Sequence, residues 1–338
     1  MVWLANWVIV YFGVEKGVER ANKIFMPLLI GLILVMVGWN LTLPGATAGM
    51  WQFLRPDFSK LGDFKVWVDA YAQTFFTLSI GFGIMVAYAS YLPKKANLVA
   101  DAWITSWLDT AISIVAGLAI FGTLGYMAHA TGKPLSEVVT SGIGLAFVAY
   151  PQAISLMPQF QQLFGVLFFL ALTIAGLASS ISILEAFTAA MIDKFQYRRR
   201  VVVTVLSVIG FLGGLVFATG GGLARLDIVD HFLSEYGLFV ACILQCVLVG
   251  WVSNVRGLRE HINAVSGAKL GATFEWSIKY FVPAVLLGLL ISNIWEDMSK
   301  AYGGYSPIAL LLIGRDWLLL TLIAALFVSM RPWRRPLR

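Results

Sequence analysis

Charge is scarce in this chain. Asp, Glu, Lys and Arg make up 12% of its 338 residues, where a soluble domain carries roughly 25%. Most of such a chain cannot face water. Histidine and cysteine are thinner still. His129, His231 and His261 are scattered, and Cys242 and Cys246 sit four apart in one apolar stretch. Scattered histidines offer no metal-ligand spacing. A disulfide within one helical turn has poor geometry, so the cysteines read as packing residues. Also missing are Gly-x-Ser-x-Gly, His-Glu-x-x-His and a phosphate loop. No catalytic set assembles, so neither an enzyme nor an organic cofactor is expected. An intramembrane enzyme is the weakest of the readings kept open.

Apolar residues, in contrast, reach 59%. They come in runs near the 20 residues that a bilayer-spanning helix needs. Eight spans are predicted: Ile24–Leu43, Val66–Tyr91, Leu98–Met127, Gln161–Met191, Val201–Ala218, Ile228–Val252, Phe274–Ile294 and Ser306–Met330. Val2–Val14 is apolar but too short, and its charges (Glu15, Lys16, Glu19, Arg20, Lys23) follow it. A signal peptide carries charge ahead of its apolar core. The stretch therefore reads as the tail of an incomplete ninth helix, with Met1 not the natural start. The expected fold is an all-α integral membrane protein of about nine helices.

The basic residues, net charge +6, sort by loop. One side receives Lys16, Arg20, Lys23, Lys94, Lys95, Lys194, Arg198, Arg199, Arg200, Arg256, Arg259, Lys269 and a tail with Arg331, Arg334, Arg335 and Arg338. The other receives Arg55, Lys60, Lys65, Lys133, Arg225 and Lys300. The positive-inside rule makes the first side, and the C-terminus, cytoplasmic. The plasma (inner) membrane is the expected location. Basic residues so placed face anionic lipid, not nucleic acid. The long outer loop Ala128–Phe160 is apolar and holds Pro134, Pro151 and Pro158. It reads as a hairpin folded back over the mouth of a cavity.

Three places carry chemistry. Gln73–Gly83 packs Thr77, Ser79, Gly81 and Gly83 into the middle of a span. Glycine weakens a helix by about 1 kcal/mol against alanine, and backbone freed at that depth must be satisfied by protein or a wet cavity. Either this is a discontinuous helix that binds ions and a zwitterion, or the glycines serve close helix packing. Asp109 lies mid-span with Thr105 and Ser113 one turn away on the same face. It answers either to a bound cation or proton, or to a structural partner. Ala175, Ser179 and Ile183 share a face, as a pocket wall or a packing stripe. Glu185 is a weaker candidate for a cytoplasmic polar path. Asp230, beside His231 at the outer surface, suits a gate or merely a helix terminus.

These pieces, with Gly17-Val-Glu-Arg20 before Met26-Pro27, Tyr88-Ala-Ser-Tyr91, Asp101–Met127 and Ala175–Ile183, resemble the neurotransmitter:sodium symporter family along the whole chain. The resemblance implies a leucine-transporter-type inverted-repeat fold of twelve helices. Residues 1–43 would be the tail of the first repeat, 66–252 the second, and 274–330 two extra helices, the first three helices being absent. It implies sodium-coupled symport of a neutral, hydrophobic amino acid by alternating access. The alternatives are a non-transporting sensor or partner subunit of the same fold, or an inactive fragment. Phe76, Thr77, Ser79, Phe82, Ser179 and Ile183 would bind substrate, with Phe76 the lid. Thr77, Asp109, Ala175 and Ser179 would bind Na+. Gln73 and Ser113 fall at chloride-site positions. Asp230, with Phe76, would form the outer gate, and the 128–160 hairpin the outer plug. Two departures stand out. Asp109 replaces the family's usual asparagine, which implies chloride-independent transport. Ala178 replaces a Thr or Asp side-chain ligand, which weakens the second sodium site.

Overall fold

The computed structural model describes residues 1–139 and 142–334; Arg335 and Arg338 of the basic tail lie outside them. Among the described residues there is helix and no strand. Seven helices are long and apolar enough to cross a membrane. They are α2 (Val14–Asn40), α6 (Leu98–Thr131), α9 (Gln161–Phe195), α10 (Arg199–Phe217), α11 (Gly222–Val252), α13 (Ala272–Gly304) and α14 (Pro307–Met330). Shorter elements lie between them: α1 (Val2–Tyr11), α3 (Ala46–Leu54), α4 (Phe64–Thr77), α5 (Ile84–Ser90), α7 (Leu135–Val138), α8 (Leu145–Ser155) and α12 (Val255–Val265).

The predicted span Val66–Tyr91 is missing from the seven because it is two helices. α4 ends at Thr77, and α5 restarts at Ile84 after left-handed backbone at Ser79, Gly81 and Gly83. The other seven predicted spans each correspond to one long helix, although Ile24–Leu43 runs past the end of α2 at Asn40, and Val201–Ala218 and Ser306–Met330 each overrun their helix at one end. Outer helices present apolar residues outward as well as inward, which only lipid tolerates. In α14 just 6% of the most apolar window is buried, against 39% in α6.

The chain divides into two compact units, residues 1–62 with 107–184, and residues 63–106 with 185–338. The first is built on close contact between α3 and α6. A Cβ on Gly49 would lie 2.1 Å from the Phe121 carbonyl oxygen, so only glycine permits the approach. Around it pack Met36, Ala119, Tyr150, Met157 and Phe164. A buried polar network ties the parts together. Asn40 donates to the Ala119 carbonyl at 2.6 Å, and Thr123 meets Asn40 at 3.2 Å and the Tyr150 hydroxyl at 2.8 Å. Tyr150, wholly buried on α8, stacks on Phe168 at 4.0 Å. In the segment 128–160, predicted to fold back as a hairpin, Tyr150, Ala153 and Met157 are buried, while residues 140 and 141 lie outside the described residues. The short helix α1 docks by a polar contact too: Ser180 donates to Asn6, which is buried, at 2.9 Å.

The second unit has its core between α4, α11 and α13. Val68, Leu238, Phe239, Cys242, Leu286 and Leu289 form it. Cys242 and Cys246 are free thiols, and Cys242 is part of this core, as packing residues would be. Towards the basic side, Asn254 caps α12 by accepting from the Gly257 amide at 3.0 Å. Arg259 reaches Glu275 at 3.1 Å. The Ser266 hydroxyl accepts from the amide of Val99, one of the unpaired donors at the start of α6.

Candidate functional site: a broken helix and its partners

The break between α4 and α5 has a local cause. Ser79, Gly81 and Gly83 take φ of +53°, +87° and +76°, which a continuing right-handed helix cannot hold. Thr77 and Ser79 stand at the end of α4, and the Thr77 hydroxyl bonds back to the Thr74 carbonyl at 3.4 Å. Most carbonyls of the last α4 turn still pair locally: Thr74 accepts from the Leu78 amide at 3.2 Å, Phe75 from Ile80 at 3.0 Å and Phe76 from Ser79 at 3.1 Å. Within the break itself, the Gly81 carbonyl is met from α11, where Gln245 donates to it at 3.2 Å. The same glycine is pressed against α11: a Cβ there would lie 2.3 Å from the Cys242 sulfur. Phe76 and Phe82, on either side of the break, meet edge to face at 6.0 Å, and both stay exposed. Gln73 is exposed one turn before Thr77.

The remaining candidates lie in the first unit. Asp109 is partly buried on α6, with Ser113 exposed one turn on. On α9 Ala175 is partly buried, Ser179 and Ile183 are exposed, and Ala178 is buried. Asp230, in the second unit, is exposed on α11 and accepts from Ser234 at 3.3 Å. Within that unit the structure brings Phe76, Thr77, Ser79 and Phe82 together around one turn.

Sequence reasoning placed Glu185 on a polar path but found it no partner. The structure supplies two. Glu185 is completely buried and forms a two-pronged ion pair with Arg199, one prong at 3.0 Å. Tyr91, just past the end of α5, donates to it at 2.8 Å. Two-pronged guanidinium–carboxylate geometry is the strongest ordinary pairing. It ties the end of the broken helix to α9 and to the start of α10. A buried acid in an apolar span was the available signal; what it lacked was a visible partner, because Arg199 lies beyond a turn.

A second cluster, also missed, sits on the Asp230 side of α11. Here a cleft of about 300 Å³ is lined by Asp69, His231, Glu235, Asn293, Glu296 and Asp297 among others. No group of three or more His, Cys, Asp or Glu with metal-binding geometry occurs among the described residues.

Known proteins match this sequence. The profile of the sodium:neurotransmitter symporter family covers residues 1–333. An uncharacterised sodium-dependent transporter of Methanocaldococcus jannaschii is 44% identical over 90% of this chain and 62% of its own length. The creatine transporter of Torpedo marmorata is 37% identical over 86% of the chain and 49% of its own. The sodium- and chloride-dependent GABA transporter 2 of Rattus norvegicus is 33% identical over 88% and 51%. The chain thus spans between about half and three-fifths of these relatives' lengths. The family's fold is the all-helical leucine-transporter type, and the seven continuous helices and one broken helix accord with it. By a match over nearly its whole length, the chain belongs to the sodium:neurotransmitter symporter family.

Proposed function

We propose that this protein takes part in sodium-coupled symport of a small zwitterion, a neutral and hydrophobic amino acid, across the plasma (inner) membrane. The observation that carries the reading is the break at residues 78–83, where an apolar span gives up helical pairing. Sodium favours hard oxygen ligands, and hydroxyls, carboxylates and helix-end carbonyls provide them. We assign Thr77, Asp109, Ala175 and Ser179 to sodium, and Phe76, Thr77, Ser79, Phe82, Ser179 and Ile183 to substrate. Asp230 and Phe76 act as the outer gate. Residues 66–252 form the second inverted repeat, 1–43 belong to the first, and 274–330 are the two further helices. Ion and substrate held side by side each stabilise the state the other favours, so their binding is linked. A carboxylate at Asp109 supplies the negative charge that an anion at Gln73 and Ser113 would otherwise bring, so transport runs without chloride. Ala178 offers no side-chain oxygen, which leaves a second sodium weakly held.

The relatives named for creatine and GABA favour a second substrate reading, a zwitterion whose two charges are farther apart. One experiment separates the readings. The protein is reconstituted in liposomes and offered labelled leucine, phenylalanine, GABA and creatine under an inward sodium gradient. Accumulation of leucine or phenylalanine, lost when potassium replaces sodium, is the expected result. Sodium-driven GABA or creatine uptake selects the second reading. Binding without accumulation points to a sensor or partner subunit, and uptake indifferent to sodium defeats the proposal.

A further inference from the structure

His231 is enclosed. Its side chain is 10% exposed, and its Nε2 lies 2.7 Å from the Asp297 carboxylate on α13. Its ring stacks on Tyr302 at 3.7 Å, nearly parallel. Tyr236 donates to the same Asp297 oxygen at 2.6 Å, while Tyr302 and Tyr305 both donate to Asp227. The histidine therefore fastens the Asp230-bearing end of α11 to α13, at Asp297 and at Tyr302. At Leu233–Gly237, directly beyond His231, α11 widens into a π-type turn. Such turns often mark functional places in helices.

The charges around it are one-sided. Asp227, Asp230 and Glu235 come from its own helix, Glu296 and Asp297 from α13, and Asp69 from α4. Against these stand Lys300, and Lys65, which is held by Glu296 at 2.9 Å. Arg225 is turned away to the Val216 carbonyl and the Thr219 hydroxyl. On α14, which also packs here, Arg315 and Asp316 pair with each other. Asn293 satisfies Glu235 at 2.7 Å. Among the described residues, His231 is thus a titratable base in direct contact with Asp297.

We propose that the His231–Asp297 contact is a proton-operated latch that holds the Asp230 end of α11 against α13. Protonated, the imidazolium adds ion-pair attraction to its hydrogen bond with the Asp297 carboxylate. Neutral, it keeps at most the hydrogen bond, without that attraction. The tightening lasts while the imidazole holds its second proton and is lost when that proton leaves; histidine is the side-chain type suited to such a switch near neutral pH. The latch does not depend on which solute is carried; it needs the proposed orientation only to name the medium it samples, the outer one.

The test is hydrogen exchange of the full chain in lipid nanodiscs, corrected for the intrinsic pH dependence of exchange. The peptide covering residues 222–237 should exchange about three- to tenfold more slowly at about pH 6 than at about pH 8. His231→Gln keeps a donor towards Asp297 but cannot titrate, so it should erase the difference, as should Asp297→Asn. A wild-type chain with no difference, or a His231→Gln chain that keeps it, overturns the proposal. Should His231→Gln fail to fold, the His129→Gln/His261→Gln chain leaves His231 alone to be followed by its imidazole NMR signal. Titration between about pH 5 and 8 sustains the latch, and a ring neutral throughout overturns it.

Discussion

Gly81 and Gly83 have similar backbone angles, but their surroundings differ. Alanine at either must bear a left-handed φ, at a cost of about 1–2 kcal/mol. At Gly83 the added methyl enters open space; at Gly81 it meets the Cys242 sulfur and Leu238. Gly81→Ala should therefore lower thermal stability clearly more than Gly83→Ala. In a Cys242→Ala background the cost of Gly81→Ala should fall, because the sulfur is gone, while the Leu238 contact and the backbone strain remain. Equal effects of the two glycine substitutions would deny the close contact with α11. Glu185 offers a different balance. Arg199→Ala leaves a wholly buried carboxylate with Tyr91 and no cation, a loss of about 3–5 kcal/mol for a pair broken on one side. Replacing both Glu185 and Arg199 by Met should cost less than Arg199→Ala alone. Thermal unfolding in detergent measures both. At Asp109 the readout is ionic: Asp109→Asn should make uptake rise with added chloride, and a wild-type protein that itself requires chloride refutes the assigned role.

Among elements, the break between α4 and α5 was the most legible feature, because Thr77, Ser79, Gly81 and Gly83 are residues a lipid-facing helix seldom gathers. What holds the break was not legible. Gln245 lies 164 positions from Gly81, and no local pattern links an amide in one apolar helix to a carbonyl in another. The same distance hid the Asn40–Thr123–Tyr150 network, whose members read singly as unremarkable polar residues. The eight spans were legible because bilayer thickness sets their length; the π-type turns inside them were not, since they leave the apolar content unchanged. Gln245→Leu tests the element's support. It strands the Gly81 carbonyl in a partly buried place, which costs about 1–3 kcal/mol. Under the proposed function it should also weaken sodium-dependent binding of the labelled amino acid, measured on the purified protein. Unchanged binding alongside lost stability would make Gln245 a structural support alone.

At the scale of the whole molecule, topology turns on parity. The charges at residues 15–23, predicted as a loop, form the first turns of α2, and from there to the tail after Met330 seven helices among the described residues are long enough to cross. Seven crossings would put those first turns and the tail on opposite faces of the membrane. An eighth restores them to one face, and among the described residues the further segment with the necessary length is α4 with α5. Their 14 and 7 residues rise about 21 Å and about 10 Å at 1.5 Å per residue, together near the roughly 30 Å of a hydrocarbon core. Basic residues agree with eight crossings, since the loops that then fall on one side carry more than twice the Lys and Arg of the others. A single-cysteine label at Lys16 and a reporter fused after Arg338, in a Cys242→Ala/Cys246→Ala background, should therefore report the same, cytoplasmic face. Should they report opposite faces, the segment Phe64–Ser90 does not cross, and the break at residues 78–83 would mark a re-entrant loop instead of a discontinuous span. That outcome would remove the structural ground for placing sodium at Thr77, so the measurement of sidedness bears on the chemistry as directly as any substitution at the site.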